Sequence, residues 1–309
     1  MKKNTINRIV SFLNKENRNL AEKVVRRIIA VYFSAPFTKV YYSFNKGNNR
    51  NWNGHRGCFT LSFDCDLEYD YEAMPLLLET LDKCCIKASF ACVGKWVEKF
   101  PELHRQMVDQ GHEIINHSYT HPSNIHLHPQ ERFNQLSTNE REIEITKADH
   151  IINGILGYKP IGFRTPHFGN SHTNDIYIIL KKLGYKYSSS TIAIRTPHYG
   201  NPFLSNEGIW EFPLSVNPNN ILSCFDTCIS FRKPKSNHTK KTEKKFFDQL
   251  KWVTEIGINT NSYINVYFDP GDIILLKNLK EFLNYLSKLR GDIWIAKYEE
   301  IVHKLQKNN

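Results

Sequence analysis

The segment GHEIINHSYTHP (residues 111–122) contains a short apolar strand between two helix-like stretches. The strand-like run is 113–116. Residues 97–109 before it and 129–152 after it carry apolar side chains at helical spacing. A short strand enclosed by helices is typical of a βα unit in a parallel sheet. Polar side chains directly after such a strand lie at the sheet edge where α/β barrels place their functional groups.

The same alternation continues along most of the chain. Strand-like runs are found at 59–63, 87–92, 113–116, 161–163, 186–190, 209–214, 263–268 and 292–296. Helix-like stretches are found at 71–84, 97–109, 129–152, 174–183, 241–256, 277–289 and 298–305. Seven or eight βα units in about 250 residues predict a closed α/β barrel rather than an open sheet. Residues 197–240, rich in Pro, Asn and Ser, interrupt the alternation and predict a long excursion over one face.

Basic residues are concentrated at the start of the chain. The formal net charge is +10, and residues 1–50 contain eleven Lys and Arg but only two Glu. The rest of the chain is nearly neutral, which argues against nucleic-acid binding. We divide the chain into a basic, helical extension with linker (1–52) and the barrel (53–309). The extension is interpreted either as a helix on an anionic membrane surface or as a helix packed on the barrel.

Cysteine usage and hydropathy predict a location. The seven cysteines are odd in number, form no CxxC pair and lie mostly in apolar stretches, as in a reducing compartment. No apolar run reaches the length of a spanning helix, and no clear signal peptide is present. We therefore expect a cytoplasmic protein, with the basic extension as a peripheral contact to the inner face of the membrane.

Acidic and histidine residues follow two of the predicted strands. In LSFDCDLE (61–68), strand alternation points Asp64 and Asp66 to the same side. His117 and His121 are four residues apart, so on one helical turn both imidazoles would converge. Each pair alone is a weak signal, since strand ends and surface histidines are often merely solvated. Together they predict a three-ligand catalytic metal site, for which Zn²⁺ is favoured and Co²⁺, Ni²⁺, Fe²⁺ or Mn²⁺ would serve.

The motifs SFDCDLE, GHEIINHSYTHP and GFRTPHFG, in this order, resemble those of the polysaccharide deacetylases, the NodB-homology domain of carbohydrate esterase family 4. The resemblance covers about residues 57–300. It implies an irregular (β/α)7 barrel and a metal-dependent hydrolase that removes N-acetyl or other small acyl groups from carbohydrate. It also implies that Asp66, His117 and His121 are the metal ligands and that Asp64 is the general base.

A nearly repeated octapeptide contains the next motif. FRTPHFGN (163–170) matches the family's Arg-x-Pro motif, in which Arg164 orients the base and the backbone N–H after Pro166 stabilises the oxyanion. His167 stands where a Tyr is frequent and is a candidate substrate contact. The second copy, IRTPHYGN (194–201), matches no catalytic motif. It is interpreted as a substrate-side loop or as a chance recurrence of turn-forming residues.

Two positions depart from the family pattern. In YINVYFDPGD (263–272), Asp269 stands where the family usually has a general-acid His. Either a protonated Asp269 with a raised pKa donates the proton, or His198 or His167 substitutes, or catalysis is impaired. An acidic residue that often pairs with the motif Arg is replaced by Ser188.

The resemblance leads to a predicted function with two alternatives. We expect a carbohydrate deacetylase that acts on an intracellular or lipid-linked glycan intermediate. Tyr199 and Trp210 are candidates for stacking on its sugar rings. The alternatives are a relative that binds metal and glycan without catalysis, and a non-sugar amidohydrolase of the same fold.

Overall fold

The computed structural model describes residues 2–47, 50–169, 171–173, 175–232 and 243–307. The strands within these ranges are β1 (Gly57–Cys65), β2 (Ser89–Cys92), β3 (Glu113–Asn116), β4 (Gly162–Phe163), β5 (Tyr187–Ser188), β6 (Phe203–Leu204), β7 (Trp210–Glu211), β8 (Val216–Asn217), β9 (Asn220–Cys224), β10 (Tyr263–Phe268) and β11 (Ile293–Ile295). Eight of them overlap the predicted runs: β1 is longer than its run, β3 and β10 equal theirs, and the other five are shorter.

The main sheet is parallel along the order β10-β1-β2-β3-β4-β5-β7. Strand β6 is added antiparallel to β7, β11 also pairs with β1, and β8–β9 form a separate hairpin. The two ends of the sheet meet where the Ser215 N–H donates to the Asn265 carbonyl (2.8 Å) and the Asn265 N–H to the Ser215 hydroxyl (2.9 Å). The predicted irregular α/β barrel is confirmed.

The α-helices of the described ranges are α1 (Lys3–Asn14), α2 (Leu20–Tyr32), α3 (Ser34–Ser43), α4 (Glu68–Lys83), α5 (Gly94–Lys99), α6 (Pro101–Asp109), α7 (Thr138–Leu156), α8 (Ile176–Lys182), α9 (Glu243–Thr260), α10 (Pro270–Ile273), α11 (Asn278–Lys288) and α12 (Tyr298–Lys307). Helix α7 begins later than the predicted residue 129. The reason is a capping box, in which the Ser137 hydroxyl accepts from the Glu140 N–H and the Glu140 carboxylate accepts from the Ser137 N–H.

Strand β1 separates an apolar layer from a polar interior. Phe63 stacks on Phe90 of β2 (ring centroids 5.1 Å apart) and contacts Phe268 of β10 edge-on (6.2 Å). Ser62 and Asp64 alternate with these rings and are also buried. The interior at the carboxyl end of β1 is therefore lined by polar side chains, and this is where the site forms.

The helical extension packs on the barrel, as one of the two interpretations predicts. The Asn14 amide donates to the Ile194 carbonyl (2.7 Å), and the Tyr41 hydroxyl donates to the Ala193 carbonyl (2.6 Å). Both carbonyls belong to the segment between β5 and β6. In the described part of the chain, no helix is both long and apolar enough to cross a bilayer. The division at residues 52/53 stays a prediction.

Candidate metal centre and catalytic groups

Three predicted ligands meet at the carboxyl ends of β1 and β3. Asp66 Oδ1 lies 3.2 Å from His117 Nε2 and 3.4 Å from His121 Nε2. One ligand atom from each side chain lies within 4.8 Å of the other two. Among the described residues, this is the one group of three His, Cys, Asp or Glu side chains with such spacing. The sequence prediction that these residues lie together is met.

The ligand atoms are left without hydrogen bonds. Asp66 Oδ1, His117 Nε2 and both ring nitrogens of His121 are buried and have no hydrogen-bond partner. His117 Nδ1 donates to the Arg164 carbonyl (2.8 Å), so His117 Nε2 presents its lone pair to Asp66. Acceptor atoms that face one another in a buried site need a proton or a metal cation between them. The residues therefore fit a divalent metal ion.

The histidines converge through a loop, so the predicted helical turn is wrong. Ser118 (φ 64°) and His121 (φ 52°) adopt left-handed backbone conformations that no helical turn contains. Hydrogen bonds stabilise them: the Ser118 N–H donates to Asn116 Oδ1 (2.8 Å), and the His121 N–H donates to the Ser118 hydroxyl (3.0 Å). These hydrogen bonds at the end of β3 stabilise the strained backbone and so fix the orientation of both imidazoles.

Residues absent from the prediction hold Asp66. The Trp96 indole N–H (2.8 Å) and the Asn124 amide (2.7 Å) both donate to the Asp66 carbonyl. Burial raises the pKa of Asp66, but His121 and His117 outweigh it and hold this pKa well below its usual range. Burial lowers the pKa of His121 to about 3, so its imidazole is neutral, as a metal ligand must be.

A buried arginine anchors the predicted base. Arg164 Nη1 donates to Asp64 Oδ1, and both side chains are almost inaccessible to solvent. Arg164 Nη2 donates to the hydroxyls of Tyr298 (2.6 Å), Ser62 (3.0 Å) and Ser189 (3.1 Å). Burial raises the pKa of Asp64, and the guanidinium of Arg164 opposes this shift. The guanidinium therefore favours the ionised carboxylate, the form that a general base requires.

Three partners of this arginine were not predicted. Ser62 carries a readable signal, because it precedes Asp64 by two residues and so shares its face of β1. Ser189 and Tyr298 come from distant parts of the chain, and nothing in their local sequence connects them to the motif. Ser188 occupies the position of the family's acidic partner of the arginine, but its hydroxyl donates to the Ser190 hydroxyl. The hydroxyl that contacts Arg164 is that of Ser189.

Asp269 and Asp64 lie at the carboxyl ends of the adjacent parallel strands β10 and β1. Phe268 at the end of β10 pairs in register with Phe63 of β1. The next residues, Asp269 and Asp64, therefore lie side by side and point to the barrel interior. The sheet register brings the predicted acid to the predicted base.

The surroundings of Asp269 favour its protonated form. Its carboxyl Oδ2 accepts from the Thr227 hydroxyl (2.6 Å) and the Cys228 N–H (3.2 Å). Burial, followed by the nearby charges of Asp66 and Asp70, raises the pKa of Asp269 well above its usual value. The cause is thus burial together with carboxylate neighbours, and a protonated Asp269 can donate a proton.

The structure places the three predicted substrate contacts in different surroundings. His167 is exposed, and its ring lies 4.8 Å from that of His121. Tyr199 is buried against Tyr41 (ring centroids 5.4 Å apart) and donates its hydroxyl to Asn7 of α1 (2.6 Å). Trp210 is buried in an apolar cluster of the barrel.

These positions decide between the predicted contacts. His167 is exposed beside the candidate ligand His121. Tyr199 and Trp210 have no free ring face for a sugar, so the prediction that they stack on one is not supported. The second copy of the octapeptide therefore supports the extension through Tyr199. His198 of that copy stacks on Phe203 (4.2 Å).

Comparison with known proteins supports the resemblance. Residues 52–188 match the family model described as polysaccharide deacetylase. A peptidoglycan-N-acetylglucosamine deacetylase of Bacillus cereus is 34% identical over 98 residues, which is 32% of each chain. The chain spans about a third of the length of the first curated relatives it matches.

Solved structures share the fold over a larger part of the chain. One, described as a probable polysaccharide deacetylase from Pseudomonas aeruginosa PAO1, superposes with a TM-score of 0.65 at 15% identity, covering 83% of this chain and 94% of that one. The PuuE allantoinase superposes with a TM-score of 0.64 at 14% identity over the same shares. At such identities the likeness concerns the fold alone. Residues 52–188 of this chain, together with the motifs, therefore resemble the polysaccharide deacetylase family in sequence, and the solved structures share its fold.

Proposed function

We propose that this protein is a metal-dependent deacetylase that hydrolyses the N-acetyl amide of a carbohydrate. The observation that carries the proposal is the cluster of unpaired ligand atoms on Asp66, His117 and His121. A second support is the ionic pair of Asp64 and Arg164 at the same end of the barrel. A carboxylate base beside a three-ligand metal site is the arrangement that amide hydrolysis needs.

A divalent ion such as Zn²⁺, held by Asp66, His117 and His121, would supply Lewis-acid polarisation of the acyl oxygen and a lower pKa for water. Asp64 accepts a proton from the attacking water, and Arg164 orients this carboxylate and favours its ionised form against the effect of burial. The backbone N–H of His167 is the oxyanion donor that the family resemblance implies. Each of these groups is held before substrate arrives, so little reorganisation opposes the reaction.

Asp269 is proposed as the acid that completes the reaction. When the C–N bond breaks, the leaving amine takes the carboxyl proton of Asp269, and acetate is the other product. The raised pKa of Asp269 and the side-by-side placement with Asp64 support this assignment. Asp64 gains a proton as Asp269 loses one, so a transfer through solvent restores both groups.

We further propose that the substrate is a lipid-linked glycan intermediate met at the cytoplasmic side of a membrane. The concentration of positive charge in residues 1–50 supports this proposal, because isoprenoid-linked glycans carry phosphates at an anionic surface. The curated relative is described as acting on N-acetylglucosamine in peptidoglycan, and we propose an N-acetylated sugar here as well.

Acetate release from N-acetylglucosamine oligomers tests the proposal. Zn²⁺- or Co²⁺-loaded wild type should release acetate, and Asp64→Asn should lower kcat by about 10²- to 10⁴-fold while retaining the metal. Asp82→Asn, at an exposed carboxylate, is the matched control and should keep full activity. Absence of acetate release from all N-acetyl sugars by the metal-loaded wild type would contradict the proposal.

One observation favours a second candidate, a relative that binds glycan without hydrolysing it. Asp269 replaces the His that the family usually has as its acid. If this replacement removed catalysis, wild type would bind metal and glycan without releasing acetate, and Asp269→His would gain activity. An active wild type that loses activity in Asp269→Asn decides for the enzyme.

A further inference from the structure

Helix α2 is apolar on two opposite faces, and only one of them is covered. Ile29 and Ala30 pack toward the protein core. Six other apolar side chains of the helix are exposed, and at the helical repeat they form one continuous arc of about 140°. They are Leu20, Val24, Val25, Ile28, Val31 and Tyr32, and we call them the outer face of α2.

This exposure is concentrated. Among the described residues, fourteen large apolar side chains are exposed, and seven of them lie between Leu20 and Phe33. Scattered exposed apolar residues are ordinary, but soluble monomers rarely leave a contiguous patch of this kind uncovered. The outer face of α2 therefore indicates a docking surface.

Charge at the edge of the face indicates the occupant. Lys23 and Arg27 are exposed and border the apolar arc on one side. The acidic Glu22 on the other side is paired with Lys15 (2.5 Å), so it adds little net negative charge. Lys23 and Arg27 are two of the eleven basic residues in the first fifty, so this surface complements an anionic partner.

The face is preformed. The Arg26 guanidinium donates to the Leu13 carbonyl at the end of α1 (2.9 Å), and Arg18 donates to the same carbonyl (2.8 Å). Asn19 caps the start of α2 in a capping box with Glu22. Docking therefore requires no folding of the helix and avoids its entropic cost.

We propose that the outer face of α2 binds an anionic phospholipid surface with the helix axis in the membrane plane. The apolar arc enters the boundary of the acyl chains, and Lys23 and Arg27 contact the headgroup phosphates. This inference goes beyond hydrolysis, because it concerns binding to lipid alone. It can stand or fall independently of the proposed deacetylase activity.

Sedimentation with phosphatidylcholine vesicles, with and without phosphatidylglycerol, tests the inference. Wild type should bind the anionic vesicles, and added salt should weaken this binding. Val24→Gln with Ile28→Gln should weaken partitioning at least about tenfold, because two apolar contacts are lost. Lys23→Gln with Arg27→Gln should weaken partitioning into anionic vesicles about thirtyfold.

The matched control removes exposed apolar residues elsewhere. Ile143→Gln with Ile178→Gln changes α7 and α8 and should leave partitioning unchanged. The inference is overturned if wild type does not sediment with anionic vesicles, or if the control pair reduces binding as much as the α2 pair. It is also overturned if light scattering shows a dimer that the α2 pair dissociates while lipid binding stays absent.

Discussion

Asp64 and Asp66 are the same residue type two positions apart, and their neighbours give them different roles. Asp64 lies against the buried guanidinium of Arg164. Asp66 faces His117 and His121, and the ligand atoms of the three side chains point toward the position that a cation would occupy. The pair could be predicted because strand alternation aims both at one side. The hydroxyls around Arg164 could not, because they depend on tertiary packing.

Substitution of Asp269 tests its role as the candidate acid. Asp269→Asn keeps the volume and the hydrogen-bond acceptor for Thr227 but has no carboxyl proton. We expect kcat for acetate release to fall about 10²- to 10⁴-fold with unchanged metal content.

The pH dependence of the wild type gives a second readout of Asp269. Its raised pKa keeps the carboxyl protonated into a higher pH range than an ordinary Asp. As pH rises through that pKa the proton is lost, so kcat should decline on the alkaline side. Residual activity of Asp269→Asn should lack this decline. An identical alkaline limb in both proteins would assign the proton donor elsewhere.

Strand β3 runs from Glu113, at its amino end, to Asn116, next to the candidate metal site. At one end, Glu113 accepts hydrogen bonds from the Ser89 hydroxyl (2.6 Å), the Tyr187 hydroxyl (2.6 Å) and the Tyr298 N–H (3.0 Å). At the other end, Asn116 and the following loop fix the histidines. The strand itself was readable from its apolar pattern. The loop was misread as helical because the four-residue spacing is the same in both conformations.

Glu113 makes the stability of this element depend on pH. Burial, and next the charge of Glu299, raise the pKa of Glu113 from 4.5 to about 7. Between these values the folded protein holds a proton that the unfolded chain has lost, so the stability contribution falls as pH rises from 4.5 to 7. Such a shift corresponds to about 3 kcal/mol.

The substitution Glu113→Gln isolates this contribution. Glutamine cannot ionise, so the variant should lose about 3 kcal/mol less than wild type when pH is raised from 5 to 8. Urea unfolding at both pH values measures the difference. Parallel pH dependence in wild type and variant would show that Glu113 does not titrate in this range.

In the whole molecule, residues from distant segments of the chain meet at one end of the barrel. The alternation of strands and helices made the barrel predictable, and the family motifs made the ligand set predictable. The packing of the extension was one of two open interpretations, because an amphipathic helix looks the same on a barrel or on a membrane. Tyr199 was predicted to stack on a sugar because it is aromatic, and its burial could not be predicted because its partners, Tyr41 and Asn7, lie far from it in sequence.

Metal content, measured by elemental mass spectrometry, tests whether Asp66, His117 and His121 bind a metal ion. We predict about one transition metal per chain for wild type and for Asp64→Asn, and loss of the metal in Asp66→Ala and His117→Ala. Circular dichroism must show that each variant is folded. A folded wild type that stays empty when Zn²⁺, Co²⁺, Ni²⁺, Fe²⁺ and Mn²⁺ are offered would contradict the claim that Asp66, His117 and His121 form a metal site.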